Sequence, residues 1–140
     1  MKNKQRKRDS LLMSTTNPPH RPKQLSRLDF SDARSLFRSL FMEGWDTTYP
    51  TWQDAITIGA LDWAFTADGL KDTAGELDAL YAYPEKAVIT WLSKTCSGLP
   101  NGSPDPTLTT RAFIVQVRII VSQLASEWEK NGKPSRKLEQ

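Results

Sequence analysis

The stretch Thr51–Leu70, TWQDAITIGALDWAFTADGL, decides how the chain folds. Thr51 with Asp54 three positions later has the form of a capping box in which Asp replaces the usual Glu or Gln. Asp68-Gly69-Leu70 has the form of a Schellman ending, with Gly69 as its left-handed residue. Between them, at about 100° per residue, Trp52, Ile56, Gly59 and Trp63 align at i, i+4, i+7 and i+11. Ala60 and Ala67 flank that stripe, and Ile58, Leu61 and Phe65 form a second apolar strip on the far side. The run predicts one helix, apolar on two faces and packed between neighbours, as the central helix of a bundle is. Gly59 leaves room for a close crossing. Two tryptophans can also make a base-stacking platform, but a platform must be exposed, and this run has too few polar residues to expose a face. Both are assigned to the core.

Upstream, Asp29 predicts the cap of a helix over Phe30–Glu43 that closes at Gly44. Ala33, Leu36, Phe37, Leu40 and Phe41 share its apolar face, with Arg34 and Arg38 on the flank. EGWDTTYPT (43–51) reads as a turn. Downstream, Asp72 caps a short helix from Thr73 to about Ala82, and Pro84 opens another that ends at Gly98, or else kinks a single long helix. LPNGSPDPT (99–107) is a loop. The last helix runs from about Thr109 to Lys130, stopped by Asn131-Gly132. Its residues 113–121, FIVQVRIIV, have the composition of a strand. However, Phe113, Val117, Ile120, Leu124 and Trp128 keep helical phase throughout, so helix is preferred. The expected fold is all-α: a compact bundle of four or five helices (28–132), with a disordered basic N-terminal arm (1–27) and a short basic tail (133–140).

A chain of 140 residues with five Trp, five Phe and three Tyr can build one apolar core. Its net charge of +3 is unevenly spread: residues 1–38 carry +7, residues 39–110 carry −7 and residues 111–140 carry +3. The arm opens with the cluster Lys2, Lys4, Arg6, Lys7 and Arg8. Arg21, Lys23 and Arg27 follow among prolines, with no apolar periodicity, as befits a segment disordered in isolation. Met13 offers an alternative start. Such an arm is either a solubilising tail or a polyphosphate-binding device. Behind the basic start only Leu11, Leu12 and Met13 are apolar, too few for a signal peptide. No apolar run approaches a membrane span. The expected location is the cytoplasm, or in a eukaryote the nucleus, because the basic cluster suits import.

Several chemistries are excluded. The single cysteine, Cys96, permits no intrachain disulfide and reads as a buried hydrophobe. The single histidine, His20, lies in the arm, which removes histidine-based nucleophilic and metal sites. No phosphate-cradling glycine motif and no HExxH is present. Asp54, Asp62, Glu76 and Asp78 are read as caps and solvated faces, since nothing apolar or cationic is placed to tune them. No enzyme, cofactor or metal is expected.

One constellation has a more specific spacing. Ala74–Ser93 resembles a helix-turn-helix unit, with Leu77, Tyr81, Tyr83, Val88 and Trp91 where the two helices meet and Ala82 at the small turn position. Glu85, Lys86, Ile89, Thr90 and Ser93 would face a major groove. Asp78 stands where a small apolar residue normally packs, and the reading face has no arginine for guanine edges. A plain αα-hairpin is preferred.

These features favour a non-catalytic accessory or structural subunit in a larger assembly. It would contact RNA or DNA without sequence specificity through Lys2, Lys4, Arg6, Lys7, Arg8, Arg21, Lys23 and Arg27 of the arm and through Arg34, Arg38, Arg111 and Arg118. Two alternatives stand beside it: a protein–protein adaptor whose acidic middle binds a basic partner or a neighbouring copy's arm, and a helix-turn-helix regulator. In size, helicity and scarcity of motifs the chain is similar to small subunits of RNA-guided effector complexes and to coat proteins of helical viruses, a likeness of format that no motif carries.

Overall fold

A computed structural model describes residues 25–26, 29–99 and 101–134; the basic cluster, His20 and residues 135–140 lie outside them. Among the described residues the protein is all-α, 69% helical and without strands. The elements are α1 (Ser31–Leu40), α2 (Trp45–Thr48), α3 (Trp52–Trp63), α4 (Ala67–Tyr81), α5 (Glu85–Thr95) and α6 (Thr110–Asn131). Of the six, α2 is a single turn inside the segment read as a turn. Helix α4 lies along α6 as the largest pairing, while α1 touches α3, α4 and α5.

The apolar face of α1 is buried as its spacing predicts: Ala33, Leu36, Phe37, Leu40 and Phe41 are all in the core. Phe37 is the hub of the aromatic packing. Its ring lies 6.1 Å from Trp91, edge-on, and 5.9 Å from Phe113. Trp91, only 2% exposed, is the most deeply buried tryptophan. In α6, Phe113, Val117 and Leu124 are buried and Ile120 and Trp128 pack against the core from its edge. The helical phase of 113–121 prevails over its strand-like composition.

The stretch expected to form one helix divides into two, α3 and α4. Thr51 caps α3 as expected, accepting the Asp54 N–H at 3.1 Å and donating to the Asp54 carboxylate at 2.9 Å. The helix then stops at Trp63, because a second cap follows at once: the Thr66 hydroxyl accepts the Gly69 N–H at 3.1 Å and starts α4. Gly69 is therefore a first-turn helical residue, not a left-handed terminus, and Asp72 lies inside α4 instead of capping it. Pro84 separates α4 from α5, so no kinked continuous helix forms, and α5 ends at Thr95, short of Gly98. Phe65, placed in an apolar strip by a helix that does not reach it, is 94% exposed. Trp52 and Trp63 are half-buried against the core, with Trp52 edge-on to Phe113 at 5.3 Å.

The start of α1 also differs from expectation. Phe30 occupies the cap position with φ 59°, and no side chain caps it locally. Asp29 instead accepts the Ser26 N–H at 2.7 Å. Phe30 is held in this left-handed conformation by burial and by edge-on packing with Tyr83 at 6.2 Å. The N-terminal amides of α1 are served from another helix: the Ala33 N–H donates to Glu76 Oε1 of α4 at 2.9 Å.

Gly59 is a packing requirement. A Cβ there would overlap the buried side chain of Leu40, so α1 and α3 cross closely only because the side chain is absent. Gly59→Ala is expected to destabilise the domain by about 1–3 kcal/mol through overpacking. In a Leu40→Ala background the same change is expected to stabilise by about 0.5–1 kcal/mol, the helix-propensity difference. Chemical denaturation of the four proteins in this cycle measures both; equal effects in the two backgrounds would contradict the contact.

Candidate nucleic-acid interface

The four described arginines fall into two groups. Arg111 and Arg118, both on α6, are engaged within the domain. The Arg111 guanidinium lies over the Tyr81 ring, 4.3 Å from its centroid, and donates to the Tyr81 carbonyl at 3.2 Å. Arg118 Nε pairs with Asp78 of α4 at 2.7 Å. Asp78, which sits poorly in a helix-turn-helix, is thus a partner for α6.

Arg34 and Arg38 behave differently. Leu36, Phe37, Leu40 and Phe41 turn one face of α1 into the core, which leaves the i and i+4 arginines on an outer flank. That flank forms one wall of an open groove of about 690 Å³. The other wall is the end of α5 and the segment after it, bringing Lys94, Thr95, Cys96 and Ser97 opposite Arg34, Ser35, Arg38, Ser39 and Met42. Lys94 and Arg38 are exposed and Arg34 is half-buried. No carboxylate is among the lining residues. Lys94 escaped the sequence reading because it is a solitary lysine in the acidic segment; only its place in the last turn of α5, where a cation suits the helix dipole, marked it.

The second wall is held in position by Gly98. Its N–H donates to the Phe41 carbonyl at 2.8 Å, and its own carbonyl accepts from Trp45 Nε1 at 3.0 Å. A Cβ at this position would lie 2.5 Å from the carbonyl oxygens of Phe41 and Met42, a clash with backbone that no rotamer relieves. Ser97 Oγ accepts the Glu43 N–H at 3.1 Å, which leaves its hydroxyl proton to donate elsewhere. The Ser39 and Thr95 hydroxyls donate to helix carbonyls one turn earlier, at 2.8 and 2.6 Å.

Arg34 carries the least ordinary feature of the groove. Its Nε is buried and has no hydrogen-bond partner among the described residues. A buried, unsatisfied donor costs about 1–3 kcal/mol, and more when it is charged. Cys96 contributes no reactivity: burial pushes its thiol up to about 12, and its Sγ donates to the Leu92 carbonyl.

The face of α5 expected to read a groove is covered in part: the loop after α5 packs on Glu85 and Ile89, while Lys86 and Thr90 are exposed. Gly102 packs on Ile89, and the loop that includes Asn101, Pro104 and Leu108 forms a shallow pocket with Glu85 and Ile89. The carboxylates have structural roles. The Asp54 carboxylate accepts the hydroxyl of Thr51, the cap of α3, Asp78 pairs with Arg118, Asp62 is exposed, and Glu76 is neither a local cap nor fully solvated, being half-buried at the start of α1. Among the described residues no group of three or more His, Cys, Asp or Glu is placed to hold a metal ion, and no helix is long and apolar enough to cross a membrane. Lys2, Lys4, Arg6, Lys7, Arg8, Arg21, Lys23 and Arg27 lie outside the described residues. Comparison of the chain with protein families, with curated proteins and with solved structures finds no match.

Burial raises the pKa of Glu76 above the usual carboxylate range, against the lowering effect of the Ala33 N–H. A folded-state pKa above the unfolded one gives stability that is complete at acid pH and is lost as pH rises through the folded value. Relative to Glu76→Gln, which keeps a carbonyl acceptor without the charge, the wild type should therefore lose stability as pH rises from about 4, the unfolded glutamate value, through the raised folded value. Urea denaturation of both proteins across that window checks it; a constant difference would contradict the assignment.

Proposed function

We propose that this domain is a non-catalytic helical accessory subunit that contacts nucleic-acid backbone without reading sequence, as one component of a larger assembly. The observation that carries this reading is the groove between α1 and the end of α5. It gathers Arg34, Arg38 and Lys94 with serine and threonine hydroxyls and no carboxylate. Cations with no acidic partner among the described residues attract a polyanion and displace its counterions. The groove offers no aromatic ring for base stacking and no fork of Asn or Gln for base edges, so its chemistry suits phosphates and not sequence. The basic arm would extend the same contact. The covering of Ile89 by the 101–110 loop removes support from the helix-turn-helix alternative.

The test compares binding of mixed-sequence RNA and DNA by the full chain, by Arg38→Ala/Lys94→Ala, by Arg111→Ala/Arg118→Ala, and by a chain lacking residues 1–24, each at several salt concentrations. Truncation stops at 24 because Leu25 packs against the core. The groove pair is expected to weaken binding and to flatten the salt dependence by about 0.7–0.9 in logarithmic slope per lost contact. The α6 pair, already engaged with Tyr81 and Asp78, is expected to change the slope far less. Loss of the arm should flatten it further. Negligible affinity of the full chain for either nucleic acid would end this reading. If truncation instead altered only self-association or capture of a basic protein, the adaptor alternative would replace it.

A further inference from the structure

We propose that the outer face of the α4–α6 pair docks a second copy of this chain, about a two-fold axis that runs between the two helices and parallel to them. The proposal is independent of the groove and of the function read from it. The two helices are antiparallel neighbours joined by side chains at three levels. At the start of α6, the Arg111 guanidinium lies 4.3 Å from the centroid of the Tyr81 ring, at the end of α4. Two turns further on, Arg118 Nε pairs with Asp78 at 2.7 Å. Near the end of α6, Glu129 pairs with Lys71, near the start of α4. Five of these six side chains are exposed and Arg111 is half-buried, so the ladder belongs to the surface. From residue 111 to residue 129 it is about 27 Å long.

Unlike groups standing side by side complement themselves when turned over about an axis that passes between them. Arg118 then meets Asp78 of the second copy, Arg111 meets its Tyr81, and Lys71 meets its Glu129. One axis serves all three levels, because each pairs a cation with an anion or with an aromatic face. That is the requirement of an isologous dimer. A nucleic acid does not fit here, since Asp78 and Glu129 would oppose its phosphates. Apolar surface lies beside the ladder: Tyr81, Val115 and Ile119 are three of the five large hydrophobic side chains exposed among the described residues. Val115 follows Arg111 by one turn and Ile119 follows Val115 by another. Tyrosine and arginine around aliphatic side chains are what interfaces enrich. Gly75 on α4 and Ser122 on α6 are small and half-buried, so neither holds the copies apart. Two helices about 10 Å wide over this length give a footprint on the order of 500 Å² per copy, near the lower limit of specific interfaces. The pairing is therefore weak and reversible.

Sedimentation equilibrium of the full-length protein, from micromolar to near-millimolar concentration, is expected to show a monomer–dimer equilibrium. Asp78→Arg leaves two guanidinium groups at the central level, and Arg118→Asp leaves two carboxylates. Each variant alone is expected to dimerise about tenfold or more weakly than the wild type, because like charges then face each other. An equimolar mixture of the two is expected to recover dimers, since the central level of one copy is then wholly positive and that of the other wholly negative. Mixing does not rescue a protein that has merely unfolded. In the wild type, an isotope-filtered NOE from the Val115 methyls of a labelled copy to the Tyr81 ring of an unlabelled one reads the contact without any substitution. The proposal is overturned if the protein stays monomeric throughout, or if neither charge reversal weakens the dimer. It is also overturned if two folded variants fail to associate on mixing. A dimer that disappears when residues 1–24 are removed would assign self-association to the arm instead. Should either variant fail to fold, the NOE decides, and its absence in the dimer overturns the proposal.

Discussion

The contact on which the groove depends is the backbone apposition at Gly98. Two hydrogen bonds join this residue to the end of α1 and to Trp45 of α2, and its α-carbon approaches the chain too closely for any side chain. Each bond is worth only about 0.5–1.5 kcal/mol net. Their importance is positional. The segment after α5 is irregular, and without this anchor nothing in its own sequence would set its distance from α1. With it, Ser97 stands across from Arg34 and Arg38, beside Lys94, which the packing of α5 on α1 already holds there. The far wall of the basic groove is thus completed by a glycine that carries no charge at all.

Helix α1 links this surface to the interior. Its ten residues turn Phe37 toward Trp91 and Phe113, and the same helical period places Arg34 and Arg38 on the opposite flank. Burial of a Phe or Leu side chain contributes about 1.5–3 kcal/mol. The orientation of the arginines is therefore set by interactions stronger than any the arginines themselves make. The start of the helix is treated similarly. Phe30, in a conformation that disfavours non-glycine residues, is retained by Tyr83, and the exposed amides find Glu76. A helix bound at both ends and along one face is a rigid mount for two charged side chains.

The all-α class, the buried face of α1, the Thr51 cap and the full extent of α6 were legible in the sequence, because each depends on spacing within one element. The boundary between α3 and α4 was not. Thr66 and Gly69 both carry terminal signals, and the left-handed role of Gly69 competes with the capping role of Thr66 until the direction of the following helix is known. Asp29 and Glu76 show a second limit. Local spacing favours Asp29 as the cap, but the acceptor that serves α1 comes from a residue distant in the chain. The basic residues divide on the same principle. Arg34 and Arg38 could be placed together from their separation of four, whereas Lys94 joins them only through the packing of α5 on α1. Spacing alone does not separate Arg111 and Arg118 from them; the long-range contacts with Tyr81 and Asp78 do.

Cys96 lies on the wall that Gly98 anchors, and its thiol is sealed by burial and held by the Leu92 carbonyl. Modification of such a thiol requires the wall to detach first, so its rate is governed by the frequency of local opening and not by intrinsic nucleophilicity. The single sulfur atom in this position is therefore a chemical clock for the breathing of the groove. Slow modification would record a closed wall, and any ligand that braces α1 against the end of α5 would slow the clock further.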